Sequence, residues 1–460
     1  MAASKGMIGL EIHGYLQTSE KLFCRCRNFH DMKQIKPNVN VCPICTGQPG
    51  SKPMLPNKSA IDKILTIALL LGCKIATLED KKVLVFQRKH YNWPDMPSGY
   101  QKTISGAHSD FVGVDGMFEG IRIREVHLEE DPAAWNPQSG KVDYNRAGVP
   151  LMEVVSEPDF SSSEEVASWL KKFVLTLSYV KALDKDAGIK ADVNVSIKGV
   201  SKRTEIKNVN SISEIVRAID TELARHAKEK PQVMETRRWN GVSGKTELMR
   251  SKEGQEDYRF IPDPDIPAVK IYKKQVSELK QALPETPMQK LDRVIKKHKI
   301  GKTDAQILTS NLEIAQLFEE IIQKLDPVFV LSWITVEWFS VLNYNKKRMD
   351  ELEIVADHFV ELLSLVKDKQ ITPLVGKDML RQFVPKSFSV KEKLYATKGV
   401  SVSELEKAVK KVLSEHKKSV DDYQRGEKKA LNFLIGQVMA ATEKRAEYAK
   451  VLELLRKGLK

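Results

Sequence analysis

Four cysteines fall in two close pairs, Cys24-Arg25-Cys26 and Cys42-Pro43-Ile44-Cys45, separated by fifteen residues. Four thiolates so spaced can close a tetrahedral zinc shell, and with every position taken by protein such a site is structural. The alternative is four unpaired buried thiols, which needs two close pairs by accident. His30 is a substitute ligand, and Cys73, alone at a helix end, reads as a small core residue. A secreted disulfide framework does not suit five cysteines in 460 residues.

Gly9-Leu10-Glu11-Ile12-His13, if extended, puts Glu11 and His13 on one face about 7 Å apart, close enough to converge on one ion. Alone, the pair is equally a hydrogen-bonded couple. Further acids stand in Val126 to Asp131 and in Val149 to Asp159. Glu153 interrupts an apolar run from Val149 to Val155, and a buried carboxylate must be paired, hydrogen-bonded or bound to a cation. Arg146 is the obvious partner for a structural salt bridge, so both readings stay open. A third group is cationic and amide-rich: Arg88-Lys89, Arg203 to Ser211 and Met249 to Glu253. It suits phosphate and ribose contacts, or a solvated face. No Walker loop, dinucleotide fingerprint, kinase signature or amidase serine stands out.

The elements that must position these residues change character along the chain. From Met1 to about Leu283, short β-branched runs and Gly/Pro turns predict a mixed α/β region. Within it Val193, Val195 and Ile197 alternate with Asp192, Asn194 and Ser196, which predicts a strand with one apolar and one polar face. Ser59 to Leu71 predicts a helix with Ser59 as N-cap. After Pro284 and Pro287 glycine becomes scarce and apolar residues recur at helical spacing, with Trp333 and Trp338 as core. A Pro/Ser/Lys stretch around Val384 to Val390 marks a second boundary. The predicted fold class is therefore α+β: an α/β domain over 1–283, a helical domain over 284–385 and a small basic helical tail over 386–460.

Composition narrows the function classes. Hydrophobic residues are 42% and charged residues 29%, and no run approaches the roughly 18 apolar residues of a membrane helix. The first thirteen residues include Lys5, Glu11 and His13, unlike a signal or transit peptide, so the expectation is a cytoplasmic protein. An organellar matrix stays open if a targeting segment has been removed. The net charge of +13 suits a polyanionic partner. Ser401 to Lys460 holds 14 Lys/Arg against 9 Asp/Glu, a share well above its length, which points to nucleic acid there.

Taken together, GLEIH, KLFCRC, NVCPICTGQPG, RKHYNWPDMPSGYQ, HLEED, VDYNRAGVPLMEVVSEPD, DVNVSI, RTEIKNVNS, METRRWNG, MRSKEGQEDYRFIPDPDIP and GQVMAATEKRAE resemble, in order, the B subunits of the GatCAB tRNA-dependent amidotransferases. The resemblance spans nearly the whole chain. It implies a cradle-shaped α/β domain with the synthetase site, then helical and tail domains that engage tRNA. It implies Mg²⁺ held by Glu11, His13, Glu130 and Glu153, with ATP as cosubstrate, and Arg88, Lys89, Lys207, Arg250 and Arg259 as phosphate or tRNA contacts. The implied activity is that of a carbon–nitrogen ligase with glutamine as amido donor. Glutamyl-tRNA(Gln) is phosphorylated on its side-chain carboxylate and then amidated, with aspartyl-tRNA(Asn) left open as a second substrate. The implied partners are the GatCAB A subunit, a glutaminase that releases ammonia, and the small C subunit. Two places depart from the family pattern: Lys190-Ala191 stand where Arg-Cys is common, and Pro132-Ala133-Ala134 replace Ala-Gly-Lys after HLEED. The related E subunit of the two-subunit archaeal enzyme is the alternative within the class, and a tRNA-binding scaffold without catalysis is the alternative outside it.

Overall fold

In the segment Gly6–Tyr15, Ile8, Leu10 and Ile12 are fully or almost fully buried while Glu11, His13 and Tyr15 between them are only partly covered, the alternation of a strand with one core face. The computed structural model describes residues 6–29, 35–90, 93–183, 188–252, 259–396, 402–442 and 446–459. His30 lies outside them.

The described strands, in chain order, are β1 (Gly6–Tyr15), β2 (Lys74–Ile75), β3 (Gln87–His90), β4 (Tyr100–Thr103), β5 (Gly113–Phe118), β6 (Ile121–Glu130), β7 (Ala134–Trp135), β8 (Val142–Asp143), β9 (Pro150–Ser156), β10 (Ile189–Ile197), β11 (Thr204–Val209), β12 (Met234–Asn240), β13 (Lys245–Lys252) and β14 (Arg259–Pro262). All but β7 and β8 join one sheet in the order β13-β12-β11-β10-β1-β9-β6-β4-β3-β14, with β5 on β6 and β2 on β5. Only the β11–β12 pair is parallel. The first strand of this region, β1, thus lies in the middle of the sheet, and the last two, β13 and β14, lie at its two ends. Its central strands, β10, β1, β9 and β6, are distant in sequence and adjacent in space.

Three helices cover the apolar face: α1 (Lys58–Leu70), α2 (Ser163–Tyr179) and α3 (Ile212–Glu229). Ile64, Leu65 and Ala68 of α1, Trp169, Leu170 and Phe173 of α2, and Ile215, Ala218 and Ile219 of α3 share one core with Ile8, Leu10, Ile12, Met152, Val154, Val193 and Val195. The α1 N-cap is Asn57, whose side chain accepts from Ser59 N–H at 2.9 Å, so the cap stands two residues before the one expected from sequence. Val193, Val195 and Ile197 take the buried side of β10, as their alternation implied.

The chain divides into two units, Met1–Thr286 and Pro287–Lys460. The second is helical throughout its described residues, and the mixed α+β class expected from sequence holds. Within it Trp333 and Trp338 are buried among Phe359, Leu363 and Phe383, with the Trp338 and Phe359 rings 5.2 Å apart. A separate apolar cluster joins Leu405, Val409, Leu434, Val438, Val451 and Leu455. No helix of the described residues is long and apolar enough to cross a membrane.

Against β11 to β13, α3 buries a charged network. Glu222 and His226 are fully buried; Glu222 accepts from Arg225 at 2.9 Å and from Thr246, and His226 meets the hydroxyls of Ser201 and Thr204 at 2.7 and 2.9 Å. Burial alone would raise the Glu222 carboxyl, but these donors outweigh it and hold it at about 2. A carboxylate with a lowered folded pKa stabilises the fold above its unfolded pKa, and that contribution is lost as pH falls through the folded value. Unfolding followed by circular dichroism should therefore show stability declining from about pH 4.5 toward pH 2. Glu222→Gln should flatten that decline, and an unchanged profile would place the acid sensitivity elsewhere.

Candidate active site and metal centre

Opposite the covered face, β10, β1, β9 and β6 present polar side chains. Cross-strand neighbours share a face, so the register decides which residues meet. His13 lies opposite Glu153 on β9 and Lys190 on β10; Glu11 lies opposite Val155 and Asp192; Glu153 lies opposite His127 on β6. Ligand atoms of His13, Glu129 and Glu153 lie within 4.8 Å of one another, and so do those of Glu11, Asp192 and Glu205. His13 Nε2 is 3.9 Å from Glu153 Oε1.

The two groups are balanced differently. In the second, Lys207 Nζ contacts Asp192 Oδ2 at 2.6 Å and also Glu205, while Asn194 donates to Glu11 Oε1 at 3.1 Å. Burial opposes the Lys207 ammonium, but Asp192 and Glu205 outweigh it and lift its pKa. Burial and then the charge of Glu153 raise the Glu11 carboxyl. In the first group, burial and then Glu153 push Glu129 up to about 7. Burial works against the Glu153 charge, yet His13, His127, Lys89 and Lys207 hold it below the usual carboxylate range. Two close carboxylates cannot both ionise freely without a cation between them. Two carboxylates and an imidazole converging from three strands are a donor set that a hard divalent ion fits, with positions left for water or substrate oxygens.

Beside this group opens a cavity of about 460 Å³, lined by His13, Glu129, Lys89, Lys190, Asp192 and Lys207 and by Tyr15, Asp131 and Arg146. Arg146 donates to Asp131 at 2.8 Å and to the carbonyls of Pro132 and Ala133 at 2.9 and 2.8 Å; the Tyr15 hydroxyl donates to Asp131 at 2.8 Å. Trp93 and Trp135, ring centroids 5.6 Å apart, stand beside it, and Trp93 also lines it.

The site residues expected from sequence are distributed as follows. His13 and Glu153 meet, and Arg146 is bound to Asp131, not to Glu153. Glu11 belongs to the neighbouring acidic group. Glu130 does not join either one: along β6, Val126, Leu128 and Glu130 face the core while Glu125, His127 and Glu129 take the opposite face, where Glu129 lines the cavity. Glu130 instead accepts from Lys102 Nζ at 3.0 and 3.2 Å and from Lys102 N–H at 2.9 Å. Of the cations, Lys89 and Lys207 line the cavity. Arg88 is held by Asp263 at 2.9 Å and lies over the Tyr100 ring. Arg259 and Arg250 sit on β14 and β13, the two opposite ends of the sheet order.

The four cysteines gather as their spacing implied. Cys45 Sγ lies 3.8 Å from Cys42 Sγ and 4.0 Å from Cys26 Sγ, and all four sulfurs lie within 4.8 Å of one another. Four sulfurs at about 2.3 Å from a zinc ion would stand about 3.8 Å apart, so the cluster is compatible with structural zinc. Hydrogen bonding from Cys24 holds the Cys45 thiol down at about 5, whereas burial and the neighbouring sulfurs push Cys26 up to about 12. Without a cation the cluster carries few charges; a zinc ion would let the rest ionise. Gly47, at φ +61°, closes the second turn where a Cβ would collide with the Pro97 backbone at 2.6 Å.

The GatB/GatE catalytic domain matches residues 6–277 of this chain, and the GatB domain matches residues 316–459. The B subunit of the aspartyl/glutamyl-tRNA(Asn/Gln) amidotransferase of Methanocaldococcus jannaschii is 42% identical over 469 residues, covering 98% of this chain and 97% of its own length. Its namesake from Methanothermobacter thermautotrophicus is 40% identical over 460 residues, covering 98% and 99%. The chain belongs to the GatB family. The cavity and both acidic groups of this GatB-family chain lie inside the segment matched to the catalytic domain.

Sequence reasoning did not single out Glu129, Asp192 and Glu205. A signal for Glu129 was present: with Val126 and Leu128 apolar, period two places it beside His127. Asp192 was read on the polar face of its strand, but its neighbour Glu205 comes from a different strand, and no local pattern pairs them.

Replacing Cys42 by Ser should abolish zinc content, measured by elemental analysis of the intact protein, and lower its melting temperature by about 3–6 °C, a loss of about 2–3 kcal/mol at this size. A wild-type chain without zinc, or a variant as stable as wild type, would show that the thiols are only core residues.

Proposed function

We propose that this chain converts the glutamate of glutamyl-tRNA(Gln) to glutamine, and the aspartate of aspartyl-tRNA(Asn) to asparagine, at the cavity beside His13, Glu129 and Glu153. The observation that carries this reading is the convergence of those three residues next to Lys89, Lys190 and Lys207 within the region matched to the catalytic domain. The relatives' names supply both substrates.

A side-chain carboxylate is a poor electrophile, so it must first be activated. Its oxygen takes the γ-phosphoryl group of ATP, releasing ADP; ammonia then attacks the acyl carbon, loses a proton and expels phosphate. Mg²⁺, when bound, would supply positive charge against the developing phosphate charge during the transfer. His13, Glu129 and Glu153 would hold it, with Glu11 close by. Lys207, fixed by Asp192 and Glu205, adds a positive charge to the wall, and Lys89 adds another. The Tyr15–Asp131–Arg146 chain gives the cavity lining further fixed polar groups. Ammonia would come from the glutaminase, the GatCAB A subunit, with the small C subunit completing the complex. The basic segment 401–460 would add phosphate contacts to tRNA.

Glu153→Gln keeps size and removes one anionic donor. In the complex with the A and C subunits, it should lower ADP formation and amide formation by at least about 10²-fold, even with free ammonium supplied. Melting temperature and zinc content should hold, and glutamine hydrolysis should persist. A destabilised variant with full turnover per folded molecule would sink the assignment.

Deleting 401–460 should weaken tRNA binding and reduce the slope of log affinity against log salt, while the catalytic unit stays folded. Equal affinity at several salt concentrations would make the charge excess a solvated face.

A further inference from the structure

The cations around the cavity differ in what they already hold. Lys207 is fixed between Asp192 and Glu205, Arg146 is fixed by Asp131 and two carbonyls, and Lys89 also has an electrostatic or polar partner. Lys190 is different. Among the described residues no hydrogen bond or ion pair is formed by its ammonium, which lies over the Tyr15 ring 5.7 Å from the centroid. The side chain is half-buried and lines the cavity.

Its position is set by register. Lys190 lies directly opposite His13 across the β10–β1 pair, and His13 lies opposite Glu153. The ammonium therefore shares a face with the carboxylate–imidazole group and stands one strand away from it. A half-buried charge without a bonded partner is unfavourable unless an anion arrives to meet it. Asp131, whose charge acts on Lys190, is already held by Arg146 and the Tyr15 hydroxyl. Of the acidic groups, Glu153 faces His13, and Asp192 and Glu205 are paired with Lys207. What remains for Lys190 is a group that enters the cavity.

We propose that Lys190 binds an oxyanion of the substrate being amidated: the side-chain carboxylate of the esterified amino acid, or the phosphoryl group placed on it. This rests on the function proposed above. A lysine suits the task, because a point charge with three N–H donors on a flexible stem can serve either a planar carboxylate or a tetrahedral phosphoryl group. Lys190 stands on β10, across β1 from β9 and β6, the strands that carry Glu153 and Glu129.

Two substitutions separate charge from structure. Lys190→Met keeps the length and removes the charge; Lys190→Arg keeps the charge. In the complex with the A and C subunits, assayed with ammonium chloride as nitrogen donor, the Met variant should lose about 10²-fold in kcat/KM for glutamyl-tRNA. The Arg variant should stay within about tenfold of wild type. Both should keep the wild-type melting temperature and the wild-type Kd for uncharged tRNA. A rise in KM for glutamyl-tRNA alone assigns the carboxylate; a fall in kcat with both KM values unchanged assigns the phosphoryl group. A second readout needs no turnover: reductive methylation of Lys190, followed by mass spectrometry. Protection by glutamyl-tRNA but not by uncharged tRNA assigns the carboxylate, and protection that also requires ATP assigns the phosphoryl group. Equal protection by uncharged tRNA, no protection at all, a Met variant within about threefold of wild type, or Met and Arg variants equally inactive and less stable would each overturn the proposal. A wild-type complex that forms no amide would fail the proposed function, and the methylation pattern would still decide the role of Lys190.

Discussion

Three adjacent strands, β1, β9 and β6, bury one face completely and crowd acidic side chains onto the other, and the rest of the catalytic unit is arranged around that contrast. Ile8, Leu10, Ile12, Met152, Val154, Val126 and Leu128 are at most 1% exposed. A slip of one residue in any of these strands would drive Glu11, His13, Glu153 or Glu129 into the apolar core, so the hydrophobic effect locks the register that brings the acids together. The repulsion so created is then relieved by Lys207 for one group and by the imidazoles of His13 and His127 beside the other, with a divalent ion as the fitting complement. The same strands that give the fold its stability thus hold the site in a state that favours binding positive charge.

The cysteine cluster has a structural tie to this arrangement. Lys21, 1% exposed, donates to the carbonyls of Asn40 and Tyr144 at 3.2 and 3.3 Å, and Leu22 N–H donates to the carbonyl of Gly148 at 2.8 Å. Asn38 and Asn40 N–H groups bond to Asp143 and Asn145 at 3.0 and 2.9 Å. The cluster therefore braces the segment from Asp143 to Gly148, which carries Arg146 and leads into β9. Arg146 in turn holds Asp131, and Asp131 holds Tyr15. A metal that orders the cysteines would order this part of the cavity lining through ordinary hydrogen bonds, without touching substrate.

Much of this was legible from the sequence where a signal is local. The two cysteine pairs, the helical second unit, the strand at Val193 to Ile197 and the polar face bearing Glu11 and His13 all follow from spacing or period, because each depends on residues only a few positions apart. Glu130 and Glu129 show where such reading becomes fragile: adjacent acids on a strand point to opposite faces, and choosing between them requires the phase of the whole strand. Val126 and Leu128 contain that phase, and it sends Glu130 to Lys102.

The sequence by itself determined the composition of the faces, the change from mixed α/β to helical character and the presence of enough acids, imidazoles and lysines for charge chemistry. Only the tertiary structure decided the groupings: His13 with Glu129 and Glu153, Asp192 with Glu205 and Lys207, Arg146 with Asp131, and Lys190 left open to the cavity. These partners lie on different strands or loops, from about a dozen to well over a hundred residues apart, and their meeting depends on the order and register of the sheet. That order is settled by how the apolar faces pack against α1, α2 and α3, a property of the assembled core that no short segment carries.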